Sequence, residues 1–435
     1  MREILASIGA LYLGVSLLQL GNAMLGTLLA VRMDLSGFPP VITGMIMSGY
    51  FIGFTAGTLK ANVVVERVGH IRAFAVFAAV LAAATLTHAL VVEPGLWVVA
   101  RAIGGFCVAG LFLVVESWLN ERSTPATRGK ILSTYFVAVY AAMAAGQSLL
   151  ALGDPLHANL FVVAAMLMTL ALVPVSLTRS ASPSVPEPST SGLGRLYRIS
   201  PLGIAGAVGS GVILGAFYGL APVFAQRIGM TPSEIGFFMG TAMLGSLALQ
   251  WPLGILSDRF DRRRMLIACS FLTALAAAAV IATAGRSPSL LFALTAVYAG
   301  FAATIYPLSV AHANDFIAPE DIVAVAGGML LGYSLGAVVG PLGAAQAVAL
   351  IGPAGLFTFS AGVSAGLGLF GLWRTTRRTS MPKDEQGPWV ALPRTTPVCY
   401  DLDPWAEPEA ENRHPEAASA PQSPGLAPAH DKDNA

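Results

Sequence analysis

Long apolar stretches alternate with short polar breaks along most of the chain. Twelve such stretches fall at about 4–30, 40–64, 72–92, 95–119, 130–152, 158–178, 200–226, 233–256, 264–284, 288–313, 322–348 and 353–374. A helix needs about 20 mostly apolar residues to cross the hydrocarbon core of a bilayer, so each stretch predicts one spanning helix. The breaks carry turn residues, among them Gly37-Phe38-Pro39-Pro40, Glu93-Pro94-Gly95, Gly153-Asp154-Pro155, Thr231-Pro232 and Arg286-Ser287-Pro288. The first apolar run, Ile4 to Val31, far exceeds the roughly 7–15 residues of a signal-peptide core and is expected to be the first span.

Two segments break the rhythm. Residues 179–199 are rich in Pro and Ser and separate the first six stretches (1–178) from the second six (200–374), which predicts a linker between two six-helix bundles. Residues 375–435 show no apolar period beyond about 379, are Pro-rich and lean acidic, and are expected to form a disordered tail. The fold class is therefore an all-α integral membrane protein with two pseudo-symmetric halves, a layout typical of transporters built from repeats.

Composition sharpens this reading. The chain is 55% hydrophobic and 11% charged, against about 25% charged in soluble domains, and a soluble protein this apolar would aggregate. Its 46 glycines suit close helix packing in lipid. The net charge of +1 gives no reason to expect a nucleic-acid partner. Cys107, Cys269 and Cys399 form no spaced pattern, so neither a disulfide framework nor a metal site is expected, and no motif calls for a cofactor. Basic residues sort by side: with the N-terminus in the cytoplasm, seventeen fall on the cytoplasmic side and three, Arg32, Arg227 and Arg286, on the other. The positive-inside rule then predicts a multi-pass protein of the cell (inner) membrane with both termini cytoplasmic.

The most specific motif joins spans eight and nine: Gly254-Ile255-Leu256-Ser257-Asp258-Arg259-Phe260-Asp261-Arg262-Arg263-Arg264. The glycine permits close approach, the aspartate can accept from a helix N-terminus, and the arginines suit an anionic leaflet. The equivalent first-half loop, Glu66-Arg67-Val68-Gly69-His70-Ile71-Arg72, keeps the basic residues but has no glycine at the matching distance. Span four carries Arg101 about 9 Å into the span at 1.5 Å per residue, followed by Gly105, and a charge at that depth faces a cavity or a partner. It ends Glu116-Ser117-Trp118-Leu119-Asn120, while span ten ends His312-Ala313-Asn314-Asp315. Together these strings resemble the major facilitator superfamily, and in particular its YcaD-type bacterial branch, over residues 1–375. The resemblance implies twelve spans in two halves and secondary transport of a small solute, and it leaves the substrate open. The absence of a Gly-Pro pair near Gly146-Gln147-Ser148 departs from the drug/proton antiporters of that family.

Lone polar side chains inside spans are the candidates for the solute path: Gln19, Asn22, Arg101, Gln147, Tyr218, Gln250, Tyr306 and Tyr333, with Tyr12 and Gln346 beside them. Neutral hydrogen bonding between helices explains any one of them equally well. Mid-span carboxylates are absent, so proton coupling is not visible. At the cytoplasmic ends, Arg67, Arg72, Glu116, Arg128, Lys130, Asp258, Arg259, His312, Asp315, Glu320 and Asp321 form a candidate gate. Within it, Asp258 is expected to meet Arg128 and Lys130, and Arg67 and Arg72 to meet Glu320 and Asp321. Chance fits to a nucleophile elbow (Gly332 to Gly336) and a dinucleotide fingerprint (Gly366 to Gly371) lie inside spans, without the strand–turn–helix setting those motifs require. An enzyme is not expected. A single-chain carrier in the lipid bilayer is, with a non-transporting receptor or scaffold on the same fold as the alternative.

Overall fold

A computed structural model describes residues 2–124, 126–177, 192–317, 321–377, 386, 389–390 and 394–402. The first half contains α1 (Arg2–Leu35), α2 (Pro40–Val68), α3 (His70–Leu90), α4 (Pro94–Glu121), α5 (Arg128–Ser148), α6 (Asn159–Leu170) and α7 (Leu172–Ser176). After the short α8 (Leu193–Ile199) come α9 (Pro201–Arg227), α10 (Pro232–Arg259), α11 (Arg262–Thr283), α12 (Pro288–Asn314), α13 (Ile322–Ile351) and α14 (Gly355–Thr375). Twelve spans result, with α6 and α7 together making the sixth.

The breaks read from the sequence become helix starts. Pro40, Pro94, Pro201, Pro232 and Pro288 each occupy the first helical turn, where a missing N–H costs nothing and the fixed φ suits the helix. Thr231 and Glu234 close a reciprocal capping box on α10. The sixth span, expected as one helix over 158–178, is interrupted at Ala171. Pro174 explains the interruption, because it cannot donate to the carbonyl one turn back.

Helix neighbours repeat between the halves. The α2–α4, α1–α5, α3–α4 and α3–α6 pairings of the first half recur as α10–α12, α9–α13, α11–α12 and α11–α14. The halves meet through α2 with α13, α5 with α10 and α1 with α9. Even-numbered spans run away from the face that carries the first break, Ser36–Pro39; that face is called here the far face, and the one bearing α8 the linker face. Two expectations need correction. Part of the linker is helical, and Arg195 of α8 pairs with Asp321 at 2.8 Å. Residues 394–402 are not a disordered tail: they enter the bundle, with Pro397–Leu402 forming a 3-10 turn and Val398, Cys399 and Tyr400 buried. Those few apolar residues are diluted by polar neighbours, so composition alone hides them.

Candidate functional site

A cavity of about 170 Å³ lies between the halves. Its walls come from α1, α2, α4 and α5 on one side and from α9, α10 and α13 on the other. Of the path candidates, Gln19, Asn22, Arg101, Gln147, Tyr218 and Tyr333 line it. Gln250 and Tyr306 do not; both are buried among helices, and Tyr306 bonds Tyr400. Tyr12 donates to the Ile131 carbonyl at 3.0 Å, a tie between α1 and α5. Gln346 is exposed on the outside of the bundle. Gln147 spends its amide on α1, donating to Ala23 at 3.2 Å and accepting from Thr27 at 2.6 Å.

Arg101 stands apart. It is 7% exposed, its guanidinium lies 4.4 Å from the centre of the Tyr50 ring, and its Nε has no hydrogen-bond partner. Asn22 donates to the Tyr50 hydroxyl at 3.5 Å, so α1, α2 and α4 converge on one ring. Gln19 Oε1 and Ser334 Oγ are also buried without partners. Met47, Met143, Met239 and Met243 supply adaptable apolar wall. Both charged side chains on the lining are arginines, Arg101 and Arg394. Tyr50, Tyr140 and Ser334 escaped the sequence reading although they are the same kind of mid-span polar group as Tyr218; applying that criterion evenly would have found them. Arg394 had no such signal, because it lies in a polar segment.

Between the cavity and the far face the halves touch directly. A Cβ on Gly44 of α2 would sit 2.7 Å from the Pro341 carbonyl oxygen and 2.6 Å from the Ala345 Cβ of α13, so only glycine fits that approach. Ser48 donates to Val338 at 2.7 Å one turn deeper. Asp34 and Arg227 pair across the halves at 2.8 Å. Arg32 donates to Leu156 at 3.0 Å and lies 5.1 Å from the Phe161 ring centre. Two of the three far-face arginines thus have structural work.

At the linker face the expected gate pairs do not form among the described residues. The Asp258 carboxylate accepts from Arg262 at 3.2 Å and from the backbone N–H of Trp389 at 2.8 Å, which occupies it in place of Arg128 and Lys130. Arg262, 2% exposed, also bonds Asp315 at 2.5 Å and the Ala311 carbonyl at 3.2 Å. The N-terminus of α11 is capped by Asp261 rather than Asp258, its carboxylate accepting from Arg263 and Arg264 backbone N–H groups at 2.8 and 3.3 Å. Asp321 is taken by Arg195, and Arg67 and Arg72 stand exposed. Glu320 lies outside the described residues. Arg259 is exposed at the end of α10, and buried His312 meets Phe316 edge-on at 5.3 Å. Glu116 is fully buried and bonds Tyr135 at 2.8 Å and Thr396.

Residues 389–390 and 394–402 lie between this rim and the cavity. The Trp389 ring lies on Gly254, where any Cβ would overlap it; the motif glycine accommodates the tail rather than a helix. Arg394 donates to the Ala303 carbonyl at 3.0 Å and to the Tyr140 hydroxyl, and its guanidinium lies 5.5 Å from the centre of the Tyr333 ring.

A profile of the Major Facilitator Superfamily matches residues 11–231 and 204–406. The MFS-type transporter YcaD of Escherichia fergusonii, itself described as uncharacterized, is 30% identical over 371 residues, covering 85% of this chain and 96% of its own. The fold is shared with the nucleoside transporter NupG, at TM-score 0.68 and 14% identity over 87% of this chain and 100% of that one. It is shared also with a D-xylose–proton symporter, at TM-score 0.62 and 13% identity over 89% and 99% of the two chains.

Proposed function

The chain belongs to the major facilitator superfamily of transporters, and from that premise we propose that it carries a small organic solute bearing one anionic group through the cavity between its halves. The observation that carries this reading is Arg101: a buried guanidinium that lines the cavity, stacks on Tyr50 and has an unpartnered Nε. A buried charge without a counter-ion is costly, and a carboxylate or phosphate-type group on the solute would supply one in bidentate geometry. Gln19, Asn22, Tyr218 and Ser334 offer neutral hydrogen bonds around it, and the four methionines accommodate an apolar body.

In this reading the halves rock about the central cavity and expose it to each side in turn. The basic asymmetry supports a placement in the cell membrane with the linker face and both termini cytoplasmic; reporter fusions after Gly37, Ser180 and Arg378 should read outside, inside and inside. One chain contains both halves and the whole cavity, which supports a monomeric carrier rather than an enzyme. The test is uptake by proteoliposomes of a panel of aromatic and aliphatic carboxylates and organic phosphates, with neutral and cationic analogues of matched size. Anionic members should enter, Arg101→Ala should abolish their uptake, and Arg101→Lys should restore it only in part, since lysine lacks the planar fork. Uptake of neutral or cationic members at equal rate, untouched by Arg101→Ala, would overturn the assignment.

A further inference from the structure

The path from the cavity to the linker face is occupied by the chain's own C-terminal segment. Trp389 lies against the end of α10, Arg394 and Thr395 reach the cavity, and Pro397–Leu402 form the 3-10 turn. The Ala303 carbonyl that receives Arg394 lies eleven residues before the end of α12 at Asn314, a depth of about 16 Å at 1.5 Å per residue.

Four anchors fix the segment to both halves. Trp389 lies on Gly254 and bonds Asp258 of α10. Arg394 reaches Tyr140 of α5, Ala303 of α12 and Tyr333 of α13. Thr396 donates to the buried carboxylate of Glu116 on α4, and Tyr400 meets Tyr306 of α12 hydroxyl to hydroxyl. Thr395 through Tyr400 are all buried. A solvated tail would leave these side chains in water, and Glu116 would lose one of its hydrogen-bond donors.

We infer that residues 389–390 and 394–402 are a built-in ligand of the transport path, in which a guanidinium seated between Tyr140, Tyr333 and the Ala303 carbonyl closes the linker-face entrance and holds the halves apart there. The inference rests on reading the central cavity as the path. The chemistry of the seat is that of an arginine-bearing extended peptide: aromatic faces and phenolic oxygens attract a planar cation, the carbonyl accepts from its fork, and Glu116 accepts from a hydroxyl two residues on. Because the ligand is tethered, its effective concentration is on the order of millimolar, so weak contacts keep it seated while a cellular partner or a change in the tail can still remove it. Seated, it blocks solute from the linker face and prevents the approach of α4 and α5 to α12 and α13 that closure of that face requires.

The test uses the purified full-length protein in detergent with a hydrophilic maleimide. Cys399 is buried by the seat itself, whereas Cys107 and Cys269 are buried inside α4 and α11. Labelling at Cys399, read by peptide mass, therefore reports release, and unlabelled Cys107 and Cys269 report an intact fold. Cys399 in the native chain should react far more slowly than in the chain unfolded in SDS. Arg394→Ala should speed it roughly tenfold or more, as loss of hydrogen bonds to a charged group implies, with Arg394→Lys in between. Thr396→Val, which changes no charge, should act in the same direction and serves where Arg394→Ala fails to fold. Labelling of native Cys399 at the unfolded rate, or no acceleration in either variant, would overturn the inference. No solute enters this measurement, so the two readings fail separately: a protected native Cys399 together with no uptake of any panel member by Arg394→Ala, whose path is open, would sink the carrier reading and leave the plug standing.

Discussion

The two faces of the bundle are closed by different means. At the far face, helix backbones meet directly: Gly44 against Pro341, Ser48 on Val338, and Asp34 with Arg227. These contacts belong to the spans themselves, so they can part only if the halves move. At the linker face, the halves are separated by an inserted segment whose contacts can be lost without any helix moving. The difference teaches that the resting state is set by an added element on one side and by helix packing on the other. It also fits the different partners that Asp258 and Asp321 take at the linker face. Asp258 serves Arg262 and Trp389, and Asp321 serves Arg195.

Substitutions at each face test the contrast, and the largest effect is expected at the linker-face rim. Arg262→Ala breaks its buried ion pair with Asp315, so the protein should lose about 3–5 kcal/mol of stability, read as an earlier thermal unfolding transition. The first-half counterpart, Arg72→Ala, removes an exposed arginine and should leave the transition unchanged. At the far face, Gly44→Val overpacks the α2–α13 contact by roughly 1–3 kcal/mol. In the Arg394→Ala background, where the tail is released, the closed far face should lose population by roughly 5- to 150-fold, seen as faster labelling of a cysteine placed at Ser48.

Smaller effects should follow at the far-face rim. Asp34→Asn removes one partly exposed cross-half pair, worth about 0–1 kcal/mol, and should raise the same Ser48 labelling less than Gly44→Val does. The swap Asp34→Arg with Arg227→Asp should return it toward the native rate. The smallest effect is a cap. The Glu93 carboxylate accepts from the Leu96 and Gly95 backbone N–H groups at the start of α4, and these bonds hold its pKa below the usual carboxylate value. Its contribution is present above its unfolded pKa and lost as pH falls through the lowered folded one. Glu93→Gln should therefore lower thermal stability slightly at neutral pH, leave it unchanged at pH below the folded pKa, and so flatten the acid limb.

Much of the fold was legible because membrane spans announce themselves. Twenty apolar residues followed by a Pro or Gly break admit few other structures, and Pro40, Pro94, Pro201, Pro232 and Pro288 start helices where the breaks stand. The cavity was partly legible, since a lone Gln or Arg in a span must face something polar. The sequence could not say whether that side chain faced the cavity, as Gln19 and Arg101 do, or was tied to another helix, as Gln147 is. The gate was least legible. Charge complementarity between loops names many pairs of equal cost, and the geometry that chose Arg262 with Asp315 depends on three helix ends meeting. The tail was invisible for a related reason: its seat is a surface made by α4, α5, α10, α12 and α13, and no local pattern in 389–402 encodes it.

The central claim is that the far face opens only after the tail leaves the linker face. It is tested most directly by electron–electron distance measurements on spin-labelled pairs across the halves, Leu35 with Met230 at the far face and Lys130 with Arg264 at the linker face, in otherwise native protein and with Arg394→Ala. The native chain should give one short far-face distance and one long linker-face distance. Arg394→Ala should add a second population in which the far-face pair has lengthened and the linker-face pair has shortened together. Identical single distances in both proteins, at both faces, would contradict the claim.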